Sequence, residues 1–203
     1  MTLEFLFDFG SPNAYLAHKI IPDIEKRTGL KFKYVPVLLG GIFKATNNKP
    51  PMIAVGGIKG KMEYEMLETR RFIKHHGLSK FQLNPHFPVN TLLAMRGAVA
   101  AEIDGGLPNY VDAVMRLMWE DGKKMDDPDV ARASLEAAGL DGARILARTQ
   151  DGDVKQRLAD NTAQAVERGA FGIPTFFVGN EIYFGKNTLR DVEDEILRVK
   201  SAA

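Results

Sequence analysis

The apolar pattern at the start of the chain predicts a β-strand followed by a helix. Residues 3–9 are dense in Leu and Phe, as in a central strand that is buried on both faces. Ser11 and Pro12 then have the residue types of a helix N-cap and a first helical position. An apolar stripe at helical spacing, over residues 15–24, continues this helix to a stop at Gly29.

The pattern changes from strands to helices in the middle of the chain. Residues 31–39 predict a second strand, which Gly40 and Gly41 follow. Residues 43–150 open with an Asn-, Pro- and Gly-rich loop and then show apolar residues at helical spacing. This segment is predicted to be an inserted helical domain.

The C-terminal part returns to mixed structure. It predicts a long helix over about residues 153–168, an aromatic hairpin with strands at 175–178 and 181–184, and a closing helix. The predicted order is βαβ, helical insert, αββα. Residues 1–42 and 151–203 would therefore form one discontinuous α/β domain, with 43–150 inserted into it.

Composition excludes several classes of function. The chain has 203 residues, 45% of them hydrophobic, and 27 basic against 26 acidic residues give a net charge of +1. That balance argues against a nucleic-acid binder, and no apolar run approaches the ~20 residues of a membrane span, so we expect a cytoplasmic protein. The chain has no cysteine, which excludes disulfide exchange and thiolate metal sites. No His, Asp and Glu spacing predicts a metal site.

Two motifs resemble the two sides of a thioredoxin-type redox site. Residues 7–12 read FDFGSP at the end of the first strand, and residues 171–176 read FGIPTF before the hairpin. In redox proteins of that architecture a cysteine opens the first helix and faces a cis-proline turn. Ser11 occupies the position of that cysteine, so any thiol at this site must come from a ligand.

Ser11 has two interpretations. One is that it serves only as a helix cap, since Ser before Pro is a common helix start. The same position also suits chemistry, because a helix N-terminus attracts anions and a Ser hydroxyl can donate a hydrogen bond to a bound thiolate. No sequence neighbour forms a Ser-His pair, which disfavours a hydrolase triad.

The second motif predicts a cis peptide bond between Ile173 and Pro174, opposite Ser11. Most X-Pro bonds are trans, but a proline that opens a strand after Phe-Gly fits the cis turn of this architecture. The backbone of Ile173 would then be free to pair with a peptide in β-fashion. Glutathione is a thiol-bearing tripeptide of that kind.

Two further segments contain candidate binding residues. Residues 185–188, Gly-Lys-Asn-Thr, precede the closing helix, where they would act as a loop and cap or as a receptor for a carboxylate. Lys44 lies at the entrance to the helical insert, where it would be a solvated lysine or balance an acidic substrate. His86 and Phe87 would line the insert side of the cleft, before a helix that Asn90 would cap.

Taken together, these motifs resemble the 2-hydroxychromene-2-carboxylate isomerase family and the kappa-class glutathione transferases, within the DsbA-like thioredoxin-fold superfamily. The resemblance rests on residues 7–12, residues 39–44 with Asn48 and Pro50-Pro51, residues 86–91 and residues 170–178. It implies an α/β thioredoxin-like fold with a large helical insertion. It also implies a glutathione-dependent isomerase of aromatic degradation, acting on a small aromatic carboxylate, and a homodimer.

The resemblance assigns roles by position. It implies that Ser11 is catalytic and holds the glutathione sulfur. Glutathione would further be bound by Ile173, Pro174, Phe184, Gly185, Lys186 and Asn187. The substrate would face Lys44, Asn48 and Phe87.

The chain departs from the family pattern after the hairpin. The usual Gly-Asn/Ser/Gln-Asp-Arg is replaced by Gly185, Lys186, Asn187 and Thr188, so an amide stands where an acid would meet the γ-glutamyl amine. Two alternatives to the isomerase stay open at this point. One is a transferase that consumes glutathione, and the other is a non-catalytic peptide-binding module on a cysteine-free scaffold.

Overall fold

A computed structural model describes residues 2–201. Its strands are β1 (Leu3–Phe7), β2 (Lys33–Pro36), β3 (Thr175–Val178) and β4 (Glu181–Phe184). Its helices are α1 (Pro12–Thr28), α2 (Leu39–Thr46), α3 (Pro51–Ala54), α4 (Lys61–His76), α5 (Leu92–Ile103), α6 (Leu107–Trp119), α7 (Pro128–Ala137), α8 (Gly142–Arg148), α9 (Gly152–Glu167) and α10 (Leu189–Ser201). A 3-10 turn at Lys186–Thr188 leads into α10.

The four strands form one mixed sheet in the order β2-β1-β3-β4. β1 pairs with β2 in parallel and with β3 antiparallel, and β4 pairs antiparallel with β3. Every residue of β1 is buried, as its dense apolar sequence predicts for a central strand. The connection order and sheet confirm the thioredoxin-like α/β fold.

Both predicted ends of α1 are confirmed. The hydroxyl of Ser11 accepts a hydrogen bond from the Ala14 N–H at 3.2 Å, and Pro12 occupies the first turn. At the other end Gly29 has φ 73°, a left-handed conformation, and its N–H donates to the Glu25 carbonyl. The helix therefore begins next to the residue that the sequence indicated as the candidate for chemistry.

The first two strands are shorter than predicted. β1 ends at Phe7 because the chain turns there, and the Ser11 N–H donates to the Asp8 carbonyl at 3.1 Å. The second strand was predicted over residues 31–39, and β2 covers only Lys33–Pro36. Gly40 and Gly41 do not end a strand but lie in the first turn of α2, which buries Ile42 against the core.

The described part of segment 43–150 contains helices α3 to α8 and the end of α2, and no strand. α2 crosses the predicted boundary at residue 43, and α9 packs against both α2 and α5. One hydrophobic core includes residues of the sheet, α5 and α6. The division into two domains therefore stays a prediction. Within residues 2–201, no helix combines the length and the apolar character that crossing a membrane requires.

Candidate functional site

The hydroxyl of Ser11 bridges the first helix and the proline turn. It donates to the Ile173 carbonyl at 3.1 Å and accepts from the Ala14 N–H at 3.2 Å. Ser11 is buried, with 4% of its surface exposed. The two sequence motifs, 162 positions apart, thus meet at a single hydroxyl. Its donor is already in use, so a ligand sulfur would have to take that hydrogen bond from the Ile173 carbonyl.

The Ile173-Pro174 peptide bond is cis, as the sequence predicts. The Pro174 carbonyl accepts from the Gly185 N–H at 2.9 Å, which joins the turn to the loop after β4. The Ile173 N–H makes no hydrogen bond within residues 2–201. Of the two Ile173 backbone groups expected to be available to a peptide, the N–H is therefore unpaired and the carbonyl is occupied by Ser11.

Asp8 is a site residue to which sequence reasoning gave no role. Its carboxyl is fully buried and accepts from the Gly10 N–H at 2.8 Å and the Leu39 N–H at 2.7 Å. The Thr91 side chain is a third hydrogen-bond partner. Asp8 thus ties the turn before Ser11 to the N-termini of α2 and α5. Burial raises the pKa of the Asp8 carboxyl, and these hydrogen bonds oppose that rise. The sequence carried one signal for this role: Asp8 is an acidic residue at the end of an otherwise apolar strand.

Asp8→Asn is expected to destabilise the protein by about 1–3 kcal/mol at acidic pH, because the amide places an N–H₂ against one of two buried N–H donors. The folded pKa of Asp8 lies above the ordinary 3.8, so the stability that the wild-type carboxyl contributes is complete below that value. It is lost as pH rises through the raised pKa. The difference in unfolding free energy between wild type and variant should therefore shrink with rising pH. Urea unfolding at several pH values measures it, and a difference that grows with pH contradicts the assignment.

Asn48 and Phe184 meet at a residue that precedes the proline turn. The Asn48 side-chain N–H₂ donates to the Phe171 carbonyl at 2.8 Å, and the Phe171 and Phe184 rings lie 4.6 Å apart. Both aromatic residues are exposed, at 44% and 43%. A Cβ on Gly172 would approach the Phe184 ring to 2.7 Å, so this glycine allows the ring to lie over the turn. The exposed aromatic pair was missed because nothing local in sequence links its members.

Lys186 does not present an unpaired ammonium. It is 3% exposed, and its Nζ lies 2.5 Å from a Glu68 carboxylate oxygen and 2.7 Å from Asn187 Oδ1. The ammonium also lies 4.9 Å from the centre of the Phe72 ring. The charge of Lys186 is already balanced by Glu68, on α4, so a ligand carboxylate at residues 185–188 would have to share this ammonium with Glu68, and the binding role of Lys186 stays a prediction. Sequence reasoning could not find this pair, because 118 positions separate its members.

Phe87 and Lys44 occupy different surroundings. Phe87 is half-buried, and its ring lies 6.1 Å from that of Trp119, whose indole N–H donates to the Phe9 carbonyl at 2.9 Å. Phe87 is thereby connected to the turn that presents Ser11. Lys44 is exposed on α2. A second cis bond, Phe87-Pro88, was not predicted.

The helix that follows Phe87 begins one residue later than a cap at Asn90 would place it. The side chain of Asn90 accepts from the Leu92 N–H at 3.0 Å, while Thr91 stands at the N-cap without a side-chain cap bond. The described residues contain no cluster of three or more His, Asp or Glu side chains that could hold a metal.

The fold and the site define a protein of the thioredoxin-like class in which serine replaces the redox cysteine. Residues 2–197 match the family described as the DSBA-like thioredoxin domain, and the chain belongs to that family. It is 29% identical to a 2-hydroxychromene-2-carboxylate isomerase of Sphingobium xenophagum, over 97% of this chain and 98% of that protein. It is 25% identical to the human glutathione S-transferase kappa 1, over 85% of this chain and 79% of that protein.

Solved structures give the same classification. A structure of selenomethionine 2-hydroxychromene-2-carboxylate isomerase superposes with a TM-score of 0.82 at 25% identity, covering 98% of this chain and 96% of that one. A probable DsbA oxidoreductase of Streptomyces coelicolor superposes with a TM-score of 0.76 at 15% identity, over 100% of this chain and 91% of that one. The second likeness shows the fold alone.

Proposed function

We propose that this protein is a glutathione-dependent cis-trans isomerase of 2-hydroxychromene-2-carboxylate or a related intermediate of aromatic degradation. The observation that carries the proposal is the Ser11 hydroxyl, at a helix N-terminus and 3.1 Å from the carbonyl of the cis-proline turn, in a chain without cysteine. Relatives named as isomerases of that compound, similar over almost the whole chain, support it. A cytoplasmic location and a homodimer belong to the proposal as features of the resemblance.

The proposed reaction is reversible thiolate addition. 2-Hydroxychromene-2-carboxylate is a cyclic hemiketal, so its ring carbon–oxygen bond breaks first, the hydroxyl proton moves to the phenolic oxygen, and an open-chain alkene conjugated to a ketone is left. The glutathione sulfur then forms a bond to the electron-poor alkene carbon, and the π electrons move toward that ketone. The former double bond is now single and rotates. The electrons then return, the carbon–sulfur bond breaks, and the thiolate leaves unchanged. The protein needs to hold sulfur and alkene together and to keep the thiol ionised.

The proposed roles follow the geometry. Ser11 would donate its hydrogen bond to the sulfur, with the N-terminus of α1 adding positive potential. On binding, Ser11 would exchange its neutral hydrogen bond to the Ile173 carbonyl for a charge-assisted bond to the sulfur. The Ile173 carbonyl that Ser11 releases and the unpaired Ile173 N–H would pair with the peptide backbone of glutathione.

The remaining residues divide between cofactor and substrate. Pro174, Phe184 and Gly185 would contact glutathione, and the Asn187 amide would meet its γ-glutamyl end. Lys186 would act there by holding Asn187, since its ammonium contacts Asn187 Oδ1 and Glu68. Lys44, Asn48 and Phe87 would face the aromatic carboxylate. Lys44, which is exposed on α2, supplies the positive charge in this set.

A transferase that conjugates glutathione is the second candidate, favoured by the similarity to glutathione S-transferase kappa 1 of human and rat. The two candidates place the same groups around the same sulfur. They differ in the fate of the carbon–sulfur bond, which breaks in an isomerase and persists in a transferase.

The stoichiometry of glutathione separates these functions. The protein is incubated with 2-hydroxychromene-2-carboxylate with and without reduced glutathione, and the isomer ratio is followed together with free thiol. Because the chain has no cysteine, a colorimetric thiol assay reports glutathione alone. We expect isomerisation that requires glutathione and leaves the thiol concentration unchanged after many turnovers. Loss of one thiol per product identifies the transferase, and equal conversion without glutathione contradicts both.

A further inference from the structure

An open cavity of about 390 Å³ lies between α2, α5 and α9. None of the residues predicted for glutathione or substrate lines it. Its α2 wall includes Gly41 and Ala45, and its α9 wall includes Ala159 and Ala163. These small side chains leave space beside them, and α2 and α9 approach closely at Gly41, where a Cβ would stand 3.0 Å from the Thr162 methyl group. Its volume is at the lower end of the ~300–1,000 Å³ of small-molecule sites.

The lining is aliphatic except for three polar side chains. The Thr162 hydroxyl is satisfied, since it donates to the Leu158 carbonyl at 2.7 Å and accepts from the Leu38 N–H at 2.9 Å. The other two are Arg96 on α5 and Lys155 on α9, both half-buried.

Neither cation has a partner in the part of the chain that the structure describes. No acidic side chain lies within salt-bridge distance of Arg96 or Lys155, whereas the half-buried Arg148 is paired with Asp151. Acidic side chains do not line the cavity. Desolvating a charge without a partner costs free energy, so two unpaired, half-buried cations beside an apolar surface favour an anion with an apolar body.

We propose that this cavity is a second binding site, which takes a compact amphipathic carboxylate. Its carboxylate would accept two hydrogen bonds from the Arg96 guanidinium and contact the Lys155 ammonium. Its ring or branched chain would lie against the small residues of α2 and α9. The aliphatic walls accept a flat or a branched body, and the size admits one or two rings. Its lining shares no residue with the set proposed for glutathione and substrate, and the inference does not depend on the function proposed for Ser11.

Calorimetric titration of the 203-residue chain with 2-naphthoate tests the proposal. Arg96→Met and Lys155→Met remove each charge and keep an apolar stem, and Ala163→Leu fills the cavity from an exposed position. We expect wild type to bind, and each of the two Met variants to bind about ten- to a hundred-fold more weakly. Ala163→Leu should abolish binding. The neutral analogue 2-naphthalenemethanol should bind wild type as weakly as the acid binds Arg96→Met.

Two controls separate this cavity from other sites. Lys49→Met removes an exposed charge that does not line the cavity, and it should leave affinity unchanged. Lys44→Met tests the Ser11 side of α2. Binding that is lost in Lys44→Met and kept in Ala163→Leu would place the acid in the proposed substrate site and overturn the inference. Absence of binding by wild type at millimolar 2-naphthoate would also overturn the inference. So would self-association in sedimentation that Ala163→Leu abolishes, because a second copy of the chain would then cover the cavity.

Discussion

Ser11→Ala is expected to slow isomerisation about ten- to a hundred-fold, because it removes one charge-assisted hydrogen bond of ~1.5–3 kcal/mol to the reacting thiolate. Glutathione should bind with nearly unchanged affinity, since the Ile173 backbone and the loop after β4 remain. The thiol of bound glutathione should ionise at higher pH, so the pH-rate profile should move upward. Steady-state kinetics across a pH series measures both effects.

The helix cap must be separated from the chemistry. The Ser11 hydroxyl also accepts from the Ala14 N–H, and its loss should cost about 1 kcal/mol of folding stability. Ser11→Thr is the matched control, because it keeps a hydroxyl at a residue with extended backbone, φ −96° and ψ 112°. We expect Thr to retain most of the turnover. Full turnover with an unshifted pH profile in Ser11→Ala would mean that Ser11 is a helix cap only.

Trp119→Ala is expected to destabilise the protein by about 3–5 kcal/mol, a large fraction of the stability of an ordinary domain. Trp119 is 0% exposed, and its ring lies 6.1 Å from those of both Phe81 and Phe87. The substitution removes this packing and leaves the Phe9 carbonyl without its indole donor. Because Phe9 lies two residues before Ser11, the turn that presents the hydroxyl should also loosen.

Trp119→Phe separates packing from hydrogen bonding. It keeps an aromatic ring and removes the N–H, so it should cost about 1–3 kcal/mol. Trp119 is the single tryptophan of the chain, so unfolding must be followed by circular dichroism rather than by fluorescence. Equal losses in the Ala and Phe variants would contradict the packing role.

Local signals in the sequence predicted much of the fold. Ser11 before Pro12, and Gly29 after the apolar stripe, predicted both ends of α1, because capping depends on neighbours within one turn. The cis bond at Pro174 followed from its motif. Gly40 and Gly41 misled the prediction, since two glycines usually end an element and here the tertiary packing of Ile42 holds them in α2.

Contacts between distant residues could not be predicted in the same way. Asp8 meets Leu39 and Thr91, and Lys186 meets Glu68, only after the helices have packed around the sheet. A buried charge signals that it needs a partner but does not name it. The sequence could therefore suggest Lys186 as a charged group near a ligand, while only the structure shows that its charge is already balanced.

The ionisation of bound glutathione tests the central claim most directly. The ultraviolet absorbance of the thiolate is recorded against pH for glutathione saturating the wild-type protein and Ser11→Ala. The chain has no cysteine, and subtracting the same titration of each protein without glutathione removes the absorbance of its five tyrosines. We predict a thiol pKa in the wild-type complex clearly below the ~8.5 of an ordinary thiol, and a higher one in Ser11→Ala. A thiol that titrates as in free glutathione in both complexes would contradict the account.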